Sequence, residues 1–170
     1  MQDKLLTSAA KHLLQYGPKV IAKPLTIVPF AIKARVIEKL MDLLLAQQVE
    51  DEELDFLTQR WVKIEIVDMG LSFQVSFDKG FCVREAGEAE VSFSAQTKEL
   101  VLIAAGKEDP DTLFFQRKLA IEGDTELGLE VKNLLLSIEF DAMPALIRES
   151  ISRLAVLLQR LQNRAEANWA

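Results

Sequence analysis

The sequence predicts an α+β fold in which helices cover one face of a five-stranded, mainly antiparallel sheet. Two observations carry this prediction. Apolar and polar residues alternate over several short stretches, which is typical of strands with one buried face. Segments with apolar residues at helical spacing flank these stretches. Because an antiparallel sheet with one solvated face needs helices on the other, the two patterns together favour a layered domain.

The first third of the chain is predicted to be helical. Residues 3–16 form an amphipathic pattern that ends at Gly17 and Pro18, and residues 18–30 hold three of the five prolines, which indicates an ordered linker. A long helix is expected over residues 31–47, and the acidic run at 50–55 predicts the solvated start of another helix. The apolar face expected on the long helix consists of Ile32, Val36, Leu40, Met41, Leu43 and Leu44.

Four strands are predicted as a meander over residues 61–93, with a turn at residues 78–80. A helix over residues 96–105 then turns Leu100, Ile103 and Ala104 inward and supplies part of the cover. The apolar sides of the strands are expected to share one face, formed by Val62, Ile64, Ile66, Leu71, Phe73, Val75, Phe77, Phe81, Val83, Val91 and Phe93.

The segment 109–136 predicts three elements in succession. Asp109 and Pro110 begin a short helix, residues 118–122 alternate as the fifth strand, and Asp124 or Thr125 caps a further helix. That helix carries two apolar stripes, and a surface helix needs only one, so the second should meet another element, a partner chain or an apolar ligand. The stripes are Leu127, Val131, Leu134, Leu135 and Ile138, and, around the side, Leu129 and Leu136.

Met143 and Pro144 open the last predicted helix, which is amphipathic and basic. Its apolar face is Ile147, Ile151, Leu154, Leu158 and Leu161, flanked by Arg148, Arg153, Arg160 and Arg164. For both terminal helices, packing on the domain, membrane contact and contact with a second protomer remain open, and the last helix could also act as a cavity lid. We expect an N-terminal helical arm packed on the domain (1–58), a core (59–142) and a C-terminal amphipathic helix (143–170).

Charge is unevenly distributed along the 170 residues. Residues 1–40 carry +5, residues 41–142 carry −13 and residues 143–170 carry +2, within a net charge of −6. An acidic middle without an aromatic-basic motif argues against nucleic acid, whereas basic helical ends suit anionic lipid. No apolar run approaches the ~20 residues of a membrane span, and the N-terminus lacks a signal-peptide core. We expect a cytoplasmic protein, and a peripheral position at the inner membrane stays open.

Catalytic signatures are missing from the sequence. It contains no nucleophile elbow, phosphate loop or dinucleotide fingerprint. His12 and Cys82 are the single histidine and cysteine, which are too few for an activated pair or a thiolate metal site. The carboxylates of Glu122, Asp124 and Glu126 are explained by strand-end and helix-start positions. We therefore predict no enzyme activity, no metal and no cofactor.

Two segments carry a resemblance to a known family. FFQRKLAIEGDTELGLEVKNLL at 114–135 and, more weakly, PLTIVPFAIKARVIEKLM at 24–41 resemble the sterol carrier protein type two family, in a branch of bacterial accessory factors of ubiquinone biosynthesis. The resemblance implies a lipid-binding fold with an apolar cavity and a non-catalytic role in making ubiquinone without oxygen. The partners it implies are an isoprenoid quinone intermediate or phospholipid, hydroxylases of the collagenase-like peptidase family and an anionic membrane surface.

The resemblance also changes the interpretation of the aromatic residues. Taken alone, Phe73, Phe77, Phe81, Phe93 and Phe115 are better explained as a packed core than as a ligand site. With the resemblance, we predict lipid-contacting cavity residues at Phe73, Phe77, Phe93, Ile103, Phe115, Leu119, Leu129 and Leu136. The alternatives are a general phospholipid carrier and a protein-interaction module without a ligand, possible also as a homodimer.

Overall fold

A five-stranded sheet forms the base of the protein. In the computed structural model the described residues are 26–166, without the side chains of residues 142, 158, 159 and 161–166. The strands lie side by side in the order β3-β2-β1-β4-β5. In chain order they are β1 (Val62–Ile66), β2 (Leu71–Phe77), β3 (Phe81–Arg84), β4 (Val91–Ala95) and β5 (Leu119–Gly123).

Pairing in the sheet is mixed. β1 pairs antiparallel with β2, β2 with β3 and β4 with β5, whereas β1 and β4 run parallel. The α+β class with a mainly antiparallel sheet is therefore confirmed. The predicted meander is wrong at its last step, because β4 crosses the sheet to lie beside β1 instead of continuing beside β3. This position places Val91 and Phe93 in the middle of the sheet, where both are buried.

The register brings the predicted apolar residues to one face. Ile64 is opposite both Phe73 and Phe93, and Val62 is opposite both Val75 and Val91. Since directly paired residues share a face, these side chains form one continuous apolar surface. The helices pack on that surface.

The opposite, polar face of the sheet is less exposed to solvent than predicted, because the loop that leads to β4 covers part of it. Gln74, which is buried, donates a hydrogen bond from Nε2 to the carbonyl oxygen of Gly87 at 2.7 Å. The Arg84 guanidinium donates to Gln74 Oε1 and to the Glu88 carbonyl, both at 2.7 Å, and lies 3.8 Å from the centre of the Trp61 ring. These bonds hold the crossing loop on the sheet.

Six helices of the described chain surround the sheet. Single turns of 3₁₀ helix occur at Asp55–Leu57, Val67–Met69 and Phe140–Ala142. The α-helices are α1 (Phe30–Leu44), α2 (Ala46–Glu50), α3 (Thr97–Ala104), α4 (Pro110–Phe115), α5 (Thr125–Leu136) and α6 (Ala145–Glu166).

The long helix predicted over residues 31–47 is interrupted. Leu45 lies outside helical geometry (φ −116°, ψ 22°) and is buried, so the chain bends at the point where this side chain enters the core. The bend also buries Gln48, whose Nε2 donates to the carbonyl oxygen of Ser137 at 2.8 Å. Of the apolar face predicted on α1, Met41 and Leu44 point into the core, whereas the other side of the helix is exposed at Ile32, Val36 and Leu40.

The acidic run at 50–55 does not start an α-helix, and only its last residue, Asp55, opens a single turn of 3₁₀ helix. Glu50 ends α2, and Glu52 adopts a left-handed conformation (φ 56°) in the turns that follow. Leu54, just before the 3₁₀ turn, and Leu57, its last residue, are both buried, which draws this segment onto the core. Burial of the two leucines thus decides its course.

Two helices begin at the N-cap residues that the sequence predicted. The Asp109 side chain accepts a hydrogen bond from Asp111 N at 3.2 Å, and Asp124 Oδ1 accepts one from Leu127 N at 2.7 Å. Both confirm predicted caps. The start of α3 uses a residue that the sequence did not indicate, because Asp68 Oδ1 accepts from Thr97 N at 2.9 Å across the fold.

The C-terminal helix docks on a second, smaller apolar cluster. Ala155 and Ile151 of α6 pack with Leu102 and Ala105 of the α3 region and with Phe140. Leu146, Leu154 and Leu157 are exposed. The described part of α6 therefore packs on the domain with one narrow stripe that includes Ile151, whereas Leu154, predicted on the same face, is exposed; the side chains of Leu158 and Leu161 lie outside the described part.

The predicted helix at 3–16, most of the linker and His12 lie outside the described residues. Between residues 26 and 166, none of the helices combines the length and the apolar character that a bilayer crossing requires.

Candidate functional site: an apolar cavity

A cavity of about 230 Å³ lies between the apolar face of the sheet and the helices. Every side chain that lines it is apolar. The sheet and the 3₁₀ turn contribute Leu57, Val62, Ile64, Ile66, Phe73, Val75, Phe93, Ala95 and Leu119, and the helical side contributes Met41, Leu44, Leu45, Leu100, Ile103, Ala104, Val131, Leu134, Leu135 and Ile138.

The helix α5 approaches the sheet closely beside this cavity. A Cβ atom at Gly128 would lie 3.2 Å from Ile121 Cγ2 and 3.4 Å from Val91 Cγ2, so a glycine at this position lets the helix pack tightly on β4 and β5. Leu127, next to it, is completely buried. With one end of α5 held against the sheet, its later residues Val131 and Leu134 line the cavity.

Four of the eight residues predicted to contact lipid lie at the cavity. Phe73, Phe93, Ile103 and Leu119 line it, and α3 turns Leu100, Ile103 and Ala104 inward as predicted. The contact of these residues with a lipid remains a prediction.

The other four residues lie elsewhere. Phe77 packs edge-on against Phe81, with ring centres 5.1 Å apart, at the outer strand pair. Phe115 is 80% exposed, Leu129 51% and Leu136 48%, so these three point to the surface and do not line the cavity. The reason is helical geometry, because Leu129 and Leu136 lie on the side of α5 that turns away from the sheet.

Several lining residues were not predicted as site residues. Met41, Leu44 and Leu45 belong to the segment predicted as a helical arm, yet they close the cavity on one side. Val131 and Leu134 belong to the first of the two apolar stripes predicted on α5, and neither was named as a site residue. Their helical spacing was visible in the sequence, but periodicity alone does not distinguish a packed contact from a cavity wall.

Titratable groups play no part in the cavity lining. Glu99 of α3 is buried, but its side chain lies toward a separate groove with Lys98, whose Nζ is 3.6 Å from Glu99 Oε1. Burial raises the pKa of Glu99, and Lys98 opposes that shift. Cys82 is exposed, and residues 26–166 contain no group of three or more His, Cys, Asp or Glu that could hold a metal ion. Chemically, the cavity can shield hydrocarbon.

Comparison with known proteins supports the family assignment. The profile of the SCP-2 sterol transfer family matches residues 37–136. The chain is 44% identical over 156 residues to the ubiquinone biosynthesis accessory factor UbiT of Escherichia coli strain K12, which covers 91% of this chain and 87% of the relative. UbiT of Escherichia coli O157:H7 matches equally well.

A solved structure shares the fold. A protein described as UbiJ-SCP2 ubiquinone synthesis protein superposes with a TM-score of 0.52 at 19% identity, covering 65% of this chain and 100% of that chain. At this identity the likeness concerns the fold alone. The matching profile and the UbiT relatives show that the chain belongs to the SCP-2 sterol transfer family, in the branch that contains the UbiT proteins.

Proposed function

We propose that the protein is a non-catalytic lipid-binding accessory factor of ubiquinone biosynthesis, which holds the apolar tail of a polyprenyl quinone precursor or a phospholipid in the cavity. The observation that carries the proposal is the wholly apolar lining of an internal space of about 230 Å³. Such a space offers hydrocarbon an environment free of water and offers a reacting group no acid, base or nucleophile.

The volume of the cavity limits the length of the hydrocarbon chain that it can hold in the observed structure. An apolar cavity of ~150 Å³ accommodates benzene, so by the same ratio about 230 Å³ holds roughly nine carbon atoms. Burying nine methylene groups is worth roughly 7 kcal/mol, which lies within the ~4–15 kcal/mol cost of association. Tight binding of a long tail therefore requires that the helical cover move outward and bury more of the chain.

The binding test compares two matched substitutions. Phe93→Asp places a carboxylate in the cavity wall, where an unpaired charge costs several kcal/mol. Leu129→Asp places the same group on the exposed side of α5. We expect lipid recovered by organic extraction and mass spectrometry to fall at least tenfold in Phe93→Asp and to stay at the wild-type level in Leu129→Asp.

Folding must be checked in both variants by circular dichroism. Wild-type lipid content in folded Phe93→Asp would contradict the cavity as the binding site. The absence of any specific lipid from the wild-type protein would favour a protein-interaction module, and recovery of phospholipid without quinone precursor would favour a general lipid carrier.

The pathway role extends the proposal. The relatives are named ubiquinone biosynthesis accessory factors, and a precursor with a long polyprenyl tail leaves a bilayer only if a carrier shields that tail. We infer that the protein presents such precursors to oxygen-independent hydroxylases of the collagenase-like peptidase family. The basic ends of the chain, +5 over residues 1–40 and +2 over residues 143–170, would favour a peripheral position at anionic membranes.

Quinone measurements test this role. Deleting the gene should lower ubiquinone in cells grown without oxygen and leave it nearly normal in cells grown with oxygen. Complementation with Leu129→Asp should restore the quinone, and complementation with Phe93→Asp should not. An equal deficit under both conditions would indicate a general lipid role, and no deficit under either would refute the quinone assignment.

A further inference from the structure

An aromatic pair stands out on the surface at the end of α4. Phe114 is 41% exposed and Phe115 80%, and their rings meet edge-on with centres 5.8 Å apart. The same short helix is anchored on its other side by Leu113, which is 2% exposed. Burial of an aromatic ring stabilises a folded protein. Two adjacent rings that stay exposed therefore require an explanation other than the packing of this domain.

The pair is held outward by a tight helix end. Arg117 N donates to the carbonyl oxygen of Phe114 at 3.0 Å, and Lys118 N donates to that of Leu113 at 2.9 Å. Arg117 adopts the left-handed conformation (φ 58°) that this kind of helix end uses. The rings therefore project from a fixed turn that also carries two cations, Arg117 and Lys118.

Arg117 and Lys118 border a surface groove. Arg117 and Lys118, both exposed, line a surface groove of about 350 Å³ together with Lys98 and the exposed Val67. Within residues 26–166, neither Arg117 nor Lys118 forms an ion pair. Glu99 is the acidic residue in the groove lining; it is buried beside Lys98, and the charge of Lys118 also attracts its carboxylate without forming an ion pair. Unpaired cations are notable because residues 41–142 carry −13 overall.

We propose that Phe114, Phe115, Arg117 and Lys118 form a docking site for the surface of an anionic phospholipid bilayer. Phenyl rings are favourable at the boundary between headgroups and acyl chains, and adjacent cations are attracted by lipid phosphates. A protein partner that covered the same patch would have to desolvate both cations and supply acidic partners, whereas a bilayer surface leaves them in water.

The position of this docking site suits a lipid carrier. Leu119, which follows Lys118 directly, lines the apolar cavity, and Ala95 lines both the cavity and the groove. The docking site would therefore bring the cavity wall to the membrane. The role of the docking site in lipid transfer rests on the proposed function. Docking on a bilayer does not, since it can be measured whether or not the cavity holds a lipid.

Vesicle sedimentation of the full-length protein tests the docking site. The probes are vesicles of pure phosphatidylcholine and vesicles with about one-third phosphatidylglycerol. Removing one cation should lower the partition coefficient about fivefold at low salt, so Arg117→Gln/Lys118→Gln should lower it roughly 25-fold on anionic vesicles. Phe114→Ser/Phe115→Ser should lower it about tenfold or more. Salt should reduce vesicle binding of the wild type, and it should reduce binding of the cation variant by a smaller factor, because the basic ends of the chain remain.

Matched controls lie elsewhere on the surface. Leu129→Ser removes an exposed apolar side chain from α5, and Lys79→Gln/Lys107→Gln removes two exposed cations that lie outside the basic ends of the chain. Both should bind vesicles as the wild type does. Equal losses in the control and test variants would overturn the site, because they would indicate a general effect of charge or surface polarity.

A label reports insertion directly. In a Cys82→Ser background, an environment-sensitive fluorophore at Phe115→Cys should shift its emission to the blue with anionic vesicles, whereas the same label at Leu129→Cys should not. Lost vesicle binding with wild-type lipid content supports the docking site and leaves the proposed function intact. Wild-type vesicle binding by the aromatic variant overturns it, whatever the lipid content, and so does an absence of binding by the wild type.

Discussion

Glu99 shows how a single buried carboxyl can make stability depend on pH. It is 4% exposed, and its Oε2 has no hydrogen-bond partner among the described residues. Burial raises the pKa of Glu99 above its usual 4.5, so the folded state holds this proton more tightly than the unfolded state. The stabilising contribution is therefore complete below about pH 4.5 and is lost as the pH rises through the folded-state pKa.

A neutral replacement tests this assignment. We expect Glu99→Gln to be more stable than the wild type at pH 7, and the difference should shrink as the pH falls toward 4.5. Urea unfolding at several pH values measures it, with the exposed Glu122→Gln as control. A stability difference that does not change with pH would show that the carboxyl titrates normally.

At the scale of elements, the contact between α5 and the sheet depends on a small residue. Because a Cβ atom at Gly128 would already lie 3.2 Å from Ile121, a valine must push the helix outward or distort β5. We expect Gly128→Val to lower the free energy of unfolding by about 1–3 kcal/mol, the usual cost of overpacking. Gly80→Ala, where a Cβ atom would meet nothing within 4 Å, is the control.

Denaturant unfolding of both glycine variants provides the measurement. Because α5 also supplies cavity-lining residues, Gly128→Val should reduce lipid content as well as stability. Unchanged stability in this variant would mean that the helix can shift outward without loss of contacts, and the tight approach would then have no energetic role.

At the scale of the whole molecule, the cavity is a packing defect that a ligand can fill. At ~24 cal/mol per Å³, an empty space of about 230 Å³ costs roughly 5 kcal/mol relative to a filled one. Since a ligand bound to the folded state stabilises it, we expect removal of extracted lipid to lower Tm by several degrees and its return to restore Tm. Calorimetry measures the shift, and Phe93→Asp should show none. Equal Tm values after verified removal would contradict cavity filling.

Local chemistry explains what the sequence could predict. Alternation identifies the buried side of each strand because successive side chains point to opposite faces, and the observed register brings Ile64, Phe73 and Phe93 together on that side. The caps at Asp109 and Asp124 are equally local, since a carboxylate meets backbone N–H groups only two or three residues away. The α+β class and the family likeness follow from such short-range patterns.

Only the tertiary structure decided which apolar surfaces face one another. Val91 and Phe93 have the same alternation whether β4 continues beside β3 or crosses to β1, and burial at the centre of the sheet selects the crossing. Helical spacing likewise shows two apolar stripes on α5, but Gly128 against β4 and β5 turns Val131 toward the cavity and Leu129 toward the surface. Periodicity along a chain records that a face is apolar, whereas its contacts depend on residues far away in sequence.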